Sequence, residues 1–222
     1  MKPVLKLALL FPLLCPSFAS AYDYTPFVSA SYLYSSNYHA PLGAIGFMFS
    51  PDGNAMTGIE YSSGALALTS STRDYLEQKT GGKSTVKHES AEIGSLYIFH
   101  RFLLVDFLGN AGLKLGLSVD NFLIQNSFQA SSSSGDFTSR FLAVSPHVGI
   151  NSIWRFAKNR ALISVDWLEL SKPWSWASSG LEYGRSVGNN ADSHMHEIAS
   201  RVSSQFSGMQ ITFLRVGAGY TF

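Results

Sequence analysis

Eight separate stretches of this chain place apolar residues at every second position, and almost nothing in it repeats with a helical period. Val28, Ala30, Tyr32 and Tyr34 alternate with Ser29, Ser31 and Leu33; Ile45, Phe47 and Phe49 alternate with Ala44, Gly46 and Met48. Ile59 and Tyr61 flank Glu60 in a segment that runs to about Leu68. Ala91 to Leu103 is apolar on both faces, so its inner and outer sides are not distinguished. Leu113, Leu115, Leu117 and Val119 alternate with Lys114, Gly116, Ser118 and Asp120. Leu142, Val144, Val148, Ile150 and Trp154 alternate with Ser145, His147, Asn151 and Arg155. Ile163, Val165 and Trp167 follow with Ser164 and Asp166 between them. The chain closes with Leu214, Val216, Ala218, Tyr220 and Phe222 interleaved with Phe213, Arg215, Gly217, Gly219 and Thr221. Successive side chains of a strand point to opposite faces, so the pattern predicts an all-β chain of eight two-faced strands.

Composition narrows the class. Charged residues make up 14%, against about 25% in ordinary soluble domains, while hydrophobic residues reach 45%. A formal charge of +1 gives no electrostatic reason to expect a nucleic-acid partner. The single cysteine excludes a disulfide framework and a cysteine-based zinc cluster. Apolar and aromatic residues spread over the whole length argue against disorder.

Met1 to Ala21 reads as a cleavable signal peptide: Lys2 and Lys6, then the apolar run Leu7 to Leu14, then a small-x-small site at Ala19 and Ala21. The run is well short of the roughly 20 residues that a membrane-crossing helix needs, and Pro12 and Pro16 interrupt it. Cleavage after Ala21 removes the cysteine and two lysines, leaving 14 basic against 15 acidic side chains and a formal charge of −1. One domain, 22–222, remains.

Connection lengths alternate. Short turns join strands two and three, four and five, and six and seven, the first through Pro51-Asp52-Gly53-Asn54. Longer polar loops are expected near 72–90, 129–140 and 172–208, all at the opposite end, with Pro173 marking a bulge or strand end. This is the plan of a transmembrane antiparallel up-and-down β-barrel. A soluble lipocalin-like barrel in the periplasm has the same alternation with its apolar face inward. The charges decide between them. Glu60, Lys114, Asp120, Arg155, Asp166 and Arg215 lie opposite the apolar stripe, with His147 and Asn151 on the same face. Facing lipid, each Arg or Lys would cost about 2–4 kcal/mol at mid-bilayer; facing a narrow lumen, the six can pair. Trp154, Phe156, Tyr220 and Phe222 near the turn end, and Tyr32, Tyr34, Trp174 and Trp176 near the loop end, fit two interfacial girdles.

The last strand, with Leu214, Val216, Ala218, Tyr220 and the terminal Phe222, resembles the C-terminal strand of Gram-negative outer-membrane proteins. The resemblance implies recognition by the barrel-assembly machinery. Together with the leader and the eight strands, the whole plan looks like small barrels of the OmpA-transmembrane and OmpX kind. It implies an outer-membrane location, contact with lipid and lipopolysaccharide, no cofactor, and a structural or surface-interaction role carried by the loops.

Motifs for chemistry are few. Asp192, His194, His196 and Glu197 have weak metal-ligand spacing in a polar loop, and no metal is expected. Gly82-Lys83-Ser84 has Glu77 where a phosphate-binding loop requires glycine. The enzymatic alternative is lipid A modification by a deacylase or acyltransferase barrel, which needs a serine beside a histidine and an acid. His88, Ser90 and Glu92 resemble the deacylase His-x-Ser element without the residues expected after the serine; Ser145 and His147 share the lumen face. No catalytic residue is assigned. Eight strands enclose only enough space for side chains, so no open pore is expected.

Overall fold

The computed structural model describes residues 24–49, 55–69, 84–105, 111–130, 134–156, 160–187, 206 and 208–220. Among the described residues nine strands are present: β1 (Tyr24–Ser35), β2 (Tyr38–Phe49), β3 (Ala55–Leu68), β4 (Ser84–Val105), β5 (Ala111–Ala130), β6 (Ser134–Phe156), β7 (Ala161–Ser171), β8 (Ser175–Val187) and β9 (Gln210–Tyr220). Every pairing is antiparallel. β7 and β8 both pair with β6, β7 along its second half and β8 along its first, so together they make one stave. Pro173 falls between them and has no N–H to give. The neighbouring amides carry the ladder past it: Lys172 donates to the Pro146 carbonyl and Trp174 to that of Val144. β9 pairs with β7 on one side and β1 on the other, which closes the sheet into an eight-stave barrel.

Apolar side chains point outward on all sides. Val28, Ile45, Leu96, Ile98, Leu115, Leu117, Val119, Leu142, Val144, Val148, Ile150, Ile163 and Val216 are all exposed. Tyr32, Tyr34 and Trp174 stand at the loop end of this coat, and Phe156 and Tyr220 at the turn end. Polar groups on this outer face pair locally. The Trp167 indole donates to Ser152 Oγ at 3.0 Å, Thr57 Oγ1 lies 2.8 Å from His100 Nδ1, and Tyr32 Oη 2.7 Å from His39 Nδ1. A wall facing hydrocarbon needs this, because no water is there to satisfy such groups.

The lumen is packed in zones. Toward the loop end, Tyr38, Phe122, Phe137 and Phe141 form an apolar cap. Phe206, from outside the strands, completes it, with ring centroids 4.8 Å from Tyr38 and 5.1 Å from Phe122. Toward the turn end Phe27, Met48, Met56, Ile153 and Leu162 cluster with Tyr97 and Phe99. Charged and hydroxyl side chains lie between. Glycines make room for the large rings: a Cβ on Gly58 would collide with the Phe99 ring, and one on Gly116 with that of Tyr97.

The irregularity with most effect on the lumen falls on two adjacent strands, β7 and β9. Asp166 pairs with Asn151 and Leu168 with Ile150, so Trp167 is an extra residue in β7. Between the pairs Ala30–Val216 and Tyr32–Phe213, β1 has one residue and β9 has two, Leu214 and Arg215. Leu214 has φ 48°, among the described residues the one non-glycine residue with positive φ, a conformation that costs an ordinary side chain about 1–2 kcal/mol. The bulges put Trp167 with Leu168, and Phe213 with Leu214, on the outer side in succession. Phe213 therefore faces outward (46% exposed), against the inward position its alternation with Leu214 predicts.

The strands also run further than expected. Segments 84–90, 134–140 and 175–187, predicted as loop, are strand, and β5 continues to Ala130. In 134–141 the polar residues Ser134, Asp136, Thr138 and Arg140 point outward, while Gly135, Phe137, Ser139 and Phe141 are on the buried side. Residues 1–23, with Ala19 and Ala21, lie outside the described residues, as do Phe222 and Asp192 to Glu197.

Replacing Gly58 by alanine is expected to destabilise the barrel by about 1–3 kcal/mol through overpacking against Phe99. Gly43→Ala, on the outer face with nothing within 4 Å, should leave the urea midpoint in lipid vesicles unchanged. Equal midpoints for the two variants would contradict this packing.

Candidate functional site in the barrel lumen

Charged side chains that share a narrow interior must neutralise one another, since an isolated buried charge is far too costly to keep. Lys114 on β5 is fully buried and bridges two carboxylates, Asp166 Oδ2 at 2.7 Å and Glu169 Oε2 at 2.7 Å, both on β7. Arg101 on β4 reaches Asp166 Oδ1 at 3.0 Å. Arg215 on β9 lies 3.1 Å from Glu60 on β3, 3.8 Å from Glu169 and 4.0 Å from Asp166. Three cations and three carboxylates thus tie five strands together across the lumen.

Aromatic faces support the cations. Lys114 Nζ lies 4.6 Å from the Tyr97 ring centre and 4.7 Å from that of Phe99, and Arg101 sits 4.8 Å over Phe99. Such contacts favour a desolvated cation by up to about 2 kcal/mol. Asp120, also buried, accepts from Ser95 Oγ at 2.6 Å and Ser145 Oγ at 2.8 Å. His147 joins β5 to β7: its Nε2 lies 2.8 Å from Ser118 Oγ and its Nδ1 2.8 Å from Glu169 Oε1.

Of the residues placed in the lumen by alternation, Glu60, Lys114, Asp120, Asn151, Asp166 and Arg215 are buried there, and His147 nearly so. Arg155 is not among them. It lies one residue from the end of β6 and is exposed, because the lumen face at that end is already filled by Ile153 and Leu162. Two members were missed. Arg101 belongs to the strand whose two faces were both apolar in sequence. Glu169 is brought inward only by the Trp167 bulge; three residues from Asp166, unbroken alternation would turn it outward.

The outward residues of the last strand include Phe213, Leu214, Val216, Ala218 and Tyr220. In the deacylase-like element of the enzymatic alternative, Ser90 Oγ donates to Gln125 Oε1 at 2.8 Å, and Glu92 is exposed. The register shifts between His88 and Ser90, which breaks the period-2 spacing that would align them. The side chain of His88 lies outside the described residues.

No protein-family model matches the chain, and no curated protein matches it. Among solved structures it is similar to a major outer membrane protein from Thermus thermophilus, at 12% identity, covering 90% of this chain and 99% of that one, with a TM-score of 0.48. It is also similar to CarO of Acinetobacter baumannii, at 10% identity, 88% and 97% coverage and a TM-score of 0.40. For Neisserial surface protein A the values are 9%, 91% and 97%, and 0.37. Likenesses of this size fall short of carrying the fold, which rests on the closed register. An apolar coat around an ion-filled lumen is the inverse of a soluble lipocalin-like barrel, and it makes this a membrane-spanning barrel of the outer-membrane type.

Asp166→Asn would leave Arg101 and Lys114 short of a carboxylate in a closed interior. It is expected to cost about 3–5 kcal/mol in urea unfolding from vesicles. Glu92→Gln, at an exposed position on β4, should leave the midpoint where it is; similar losses in the two variants would contradict the network.

Proposed function

We propose that the chain is an integral outer-membrane protein whose barrel is an anchor with a closed lumen, and whose work is done by the polar segments displayed at its loop end. The observation that carries this reading is the lumen itself, filled from the Phe206 cap through the ion network to the Met48–Met56 cluster. A barrel packed in this way holds no continuous aqueous path, and eight staves leave no room for one beside the side chains. The outer coat provides the contact with lipid and lipopolysaccharide. The outward side chains Leu214, Val216, Ala218 and Tyr220, with Phe222 following them in the sequence, are the signal offered to the assembly machinery. The partner is assigned to the polar sequence segments that follow β3 and β8, near 72–83 and 188–208.

Heat-modifiable gel mobility in the outer-membrane fraction and silence in planar bilayers at neutral pH are the expected behaviour. Stable, reproducible single-channel openings would overturn the closed anchor. Removing 72–83 and 188–205 from a barrel that still shows heat-modifiable mobility should abolish surface binding or adhesion; survival of that phenotype would refute display by the loops.

A further inference from the structure

Outward side chains along β7 are apolar from Ala161 to Leu170, and the first charge above them on that stave is the exposed Lys172. β7 is 11 residues long and Lys172 follows it directly. At about 3.3 Å per residue and a tilt near 40°, that is roughly 28 Å of wall. The apolar band of such a barrel is about 25 Å tall, so Lys172 stands where hydrocarbon gives way to the headgroups of the outer leaflet. Its place on the wall is fixed. The Lys172 amide donates to the Pro146 carbonyl at 3.4 Å and the Trp174 amide to that of Val144 at 2.8 Å, on either side of Pro173.

The surroundings of this cation are apolar and aromatic. Ser171 pairs with Gln210 and Leu170 with Ile211, which in turn pairs with Tyr34. Met209 (56% exposed) therefore stands beside Lys172 on the next stave and Tyr34 (45%) on the one after, with Trp174 (76%) above. Among the described residues no carboxylate faces outward on β1, β7 or β9, or on β6 from Phe137 to Phe156, and the Lys172 ammonium forms no ion pair. Asp166 and Glu169, nearest in the chain, point into the lumen and are engaged by Lys114, Arg101 and Arg215. A cation without a counter-charge in the protein, set among interfacial rings at headgroup level, is complementary to an anionic lipid head with its acyl chains below.

We propose that Lys172, Trp174, Met209 and Tyr34 form a docking surface for one phosphorylated glycolipid of the lipid A type in the outer leaflet. A phosphate of the lipid head sits on the Lys172 ammonium, the sugar rings lie against Trp174 and Tyr34, and the acyl chains run down the wall over Leu170, Ile211 and Val148. From Lys172 to Tyr34 the surface crosses three staves, about 10 Å at the usual strand spacing. That breadth suits a disaccharide head carrying several chains better than the narrow head of a two-chain phospholipid. The inference rests on the membrane-anchor reading above and names the lipid that one sector of its wall selects.

The test titrates the full-length folded barrel in detergent with bisphosphorylated lipid A and reads, by native mass spectrometry, the fraction of barrel that retains one lipid. Lys172→Gln should weaken retention about tenfold or more, as expected for loss of one charge-assisted contact, and Lys172→Arg should keep it. Lipid A stripped of its phosphates should bind the wild type more weakly and Lys172→Gln no worse than the wild type. Phosphatidylglycerol should bind the wild type more weakly than lipid A. Equal retention of bisphosphorylated lipid A by wild type and Lys172→Gln, or no retention by the wild type, overturns the site. Stripped lipid A held by the wild type as firmly as the bisphosphorylated form does so without any variant. Phosphatidylglycerol held as firmly as lipid A overturns the glycolipid as occupant. Failure of the anchor reading itself shows separately, before lipid is added, as channel openings or as absence of heat-modifiable mobility in the outer-membrane fraction.

Discussion

The meeting of Lys114 with Asp166 and Glu169 holds the rest of this structure in place. A lysine with no solvent exposure persists only where carboxylates compensate it, and both of its partners come from β7, on the other side of β6. Once that contact is made, Arg101 and Arg215 have fixed acids to reach, and Glu60 is drawn in from β3. The hydrogen-bond ladder gives the barrel its closure. The ion cluster decides which face of each strand turns inward, because the opposite choice places several of these groups in hydrocarbon.

Inside and outside are thereby exchanged relative to a water-soluble barrel, and the composition takes on a different sense. Much of the 45% hydrophobic content is a coat rather than a core. The two apolar clusters inside lie toward its ends and seal a polar middle. Three serines in the lumen are not fillers: Ser95 and Ser145 hold Asp120, and Ser118 meets His147. Each spends its hydroxyl on a group that would otherwise be a buried charge or ring nitrogen without a partner.

The sequence revealed the fold through one regularity, and it concealed what that regularity could not express. Alternation in β5 shows Lys114, Ser118 and Asp120 on one face, because Leu115, Leu117 and Val119 contrast with them so clearly. In β4 the contrast fails: Tyr97 and Phe99 go inward while Leu96 and Ile98 go outward, so nothing local marks Arg101 as a lumen residue. Glu169 is hidden for a different reason. Its face depends on an extra residue at Trp167 that is fixed by pairing with β6 and β9, the second of them distant in the chain. Arg155 shows the converse limit, since alternation gives a face but not a depth, and this arginine lies at the rim. The strand ends were equally illegible, because Ser134 to Ser139 reads as loop until the buried Phe137 and Ser139 are seen on one side.

The paired bulges at Trp167 and Leu214 matter beyond the residues they redirect. β9 is the final stave, the piece that converts an open sheet into a cylinder by joining β7 and β1 at once. A stave with uniform alternation could settle two residues out of step with each inward side chain still inward, and such errors would be hard to distinguish energetically. Here the irregularity of β9 has a matching irregularity in β7, and only one alignment brings them side by side. Any other leaves the strained Leu214 backbone without its counterpart and carries Arg215 away from Glu60. Closure therefore works like a key in a lock, and the final joining step carries its own check on register.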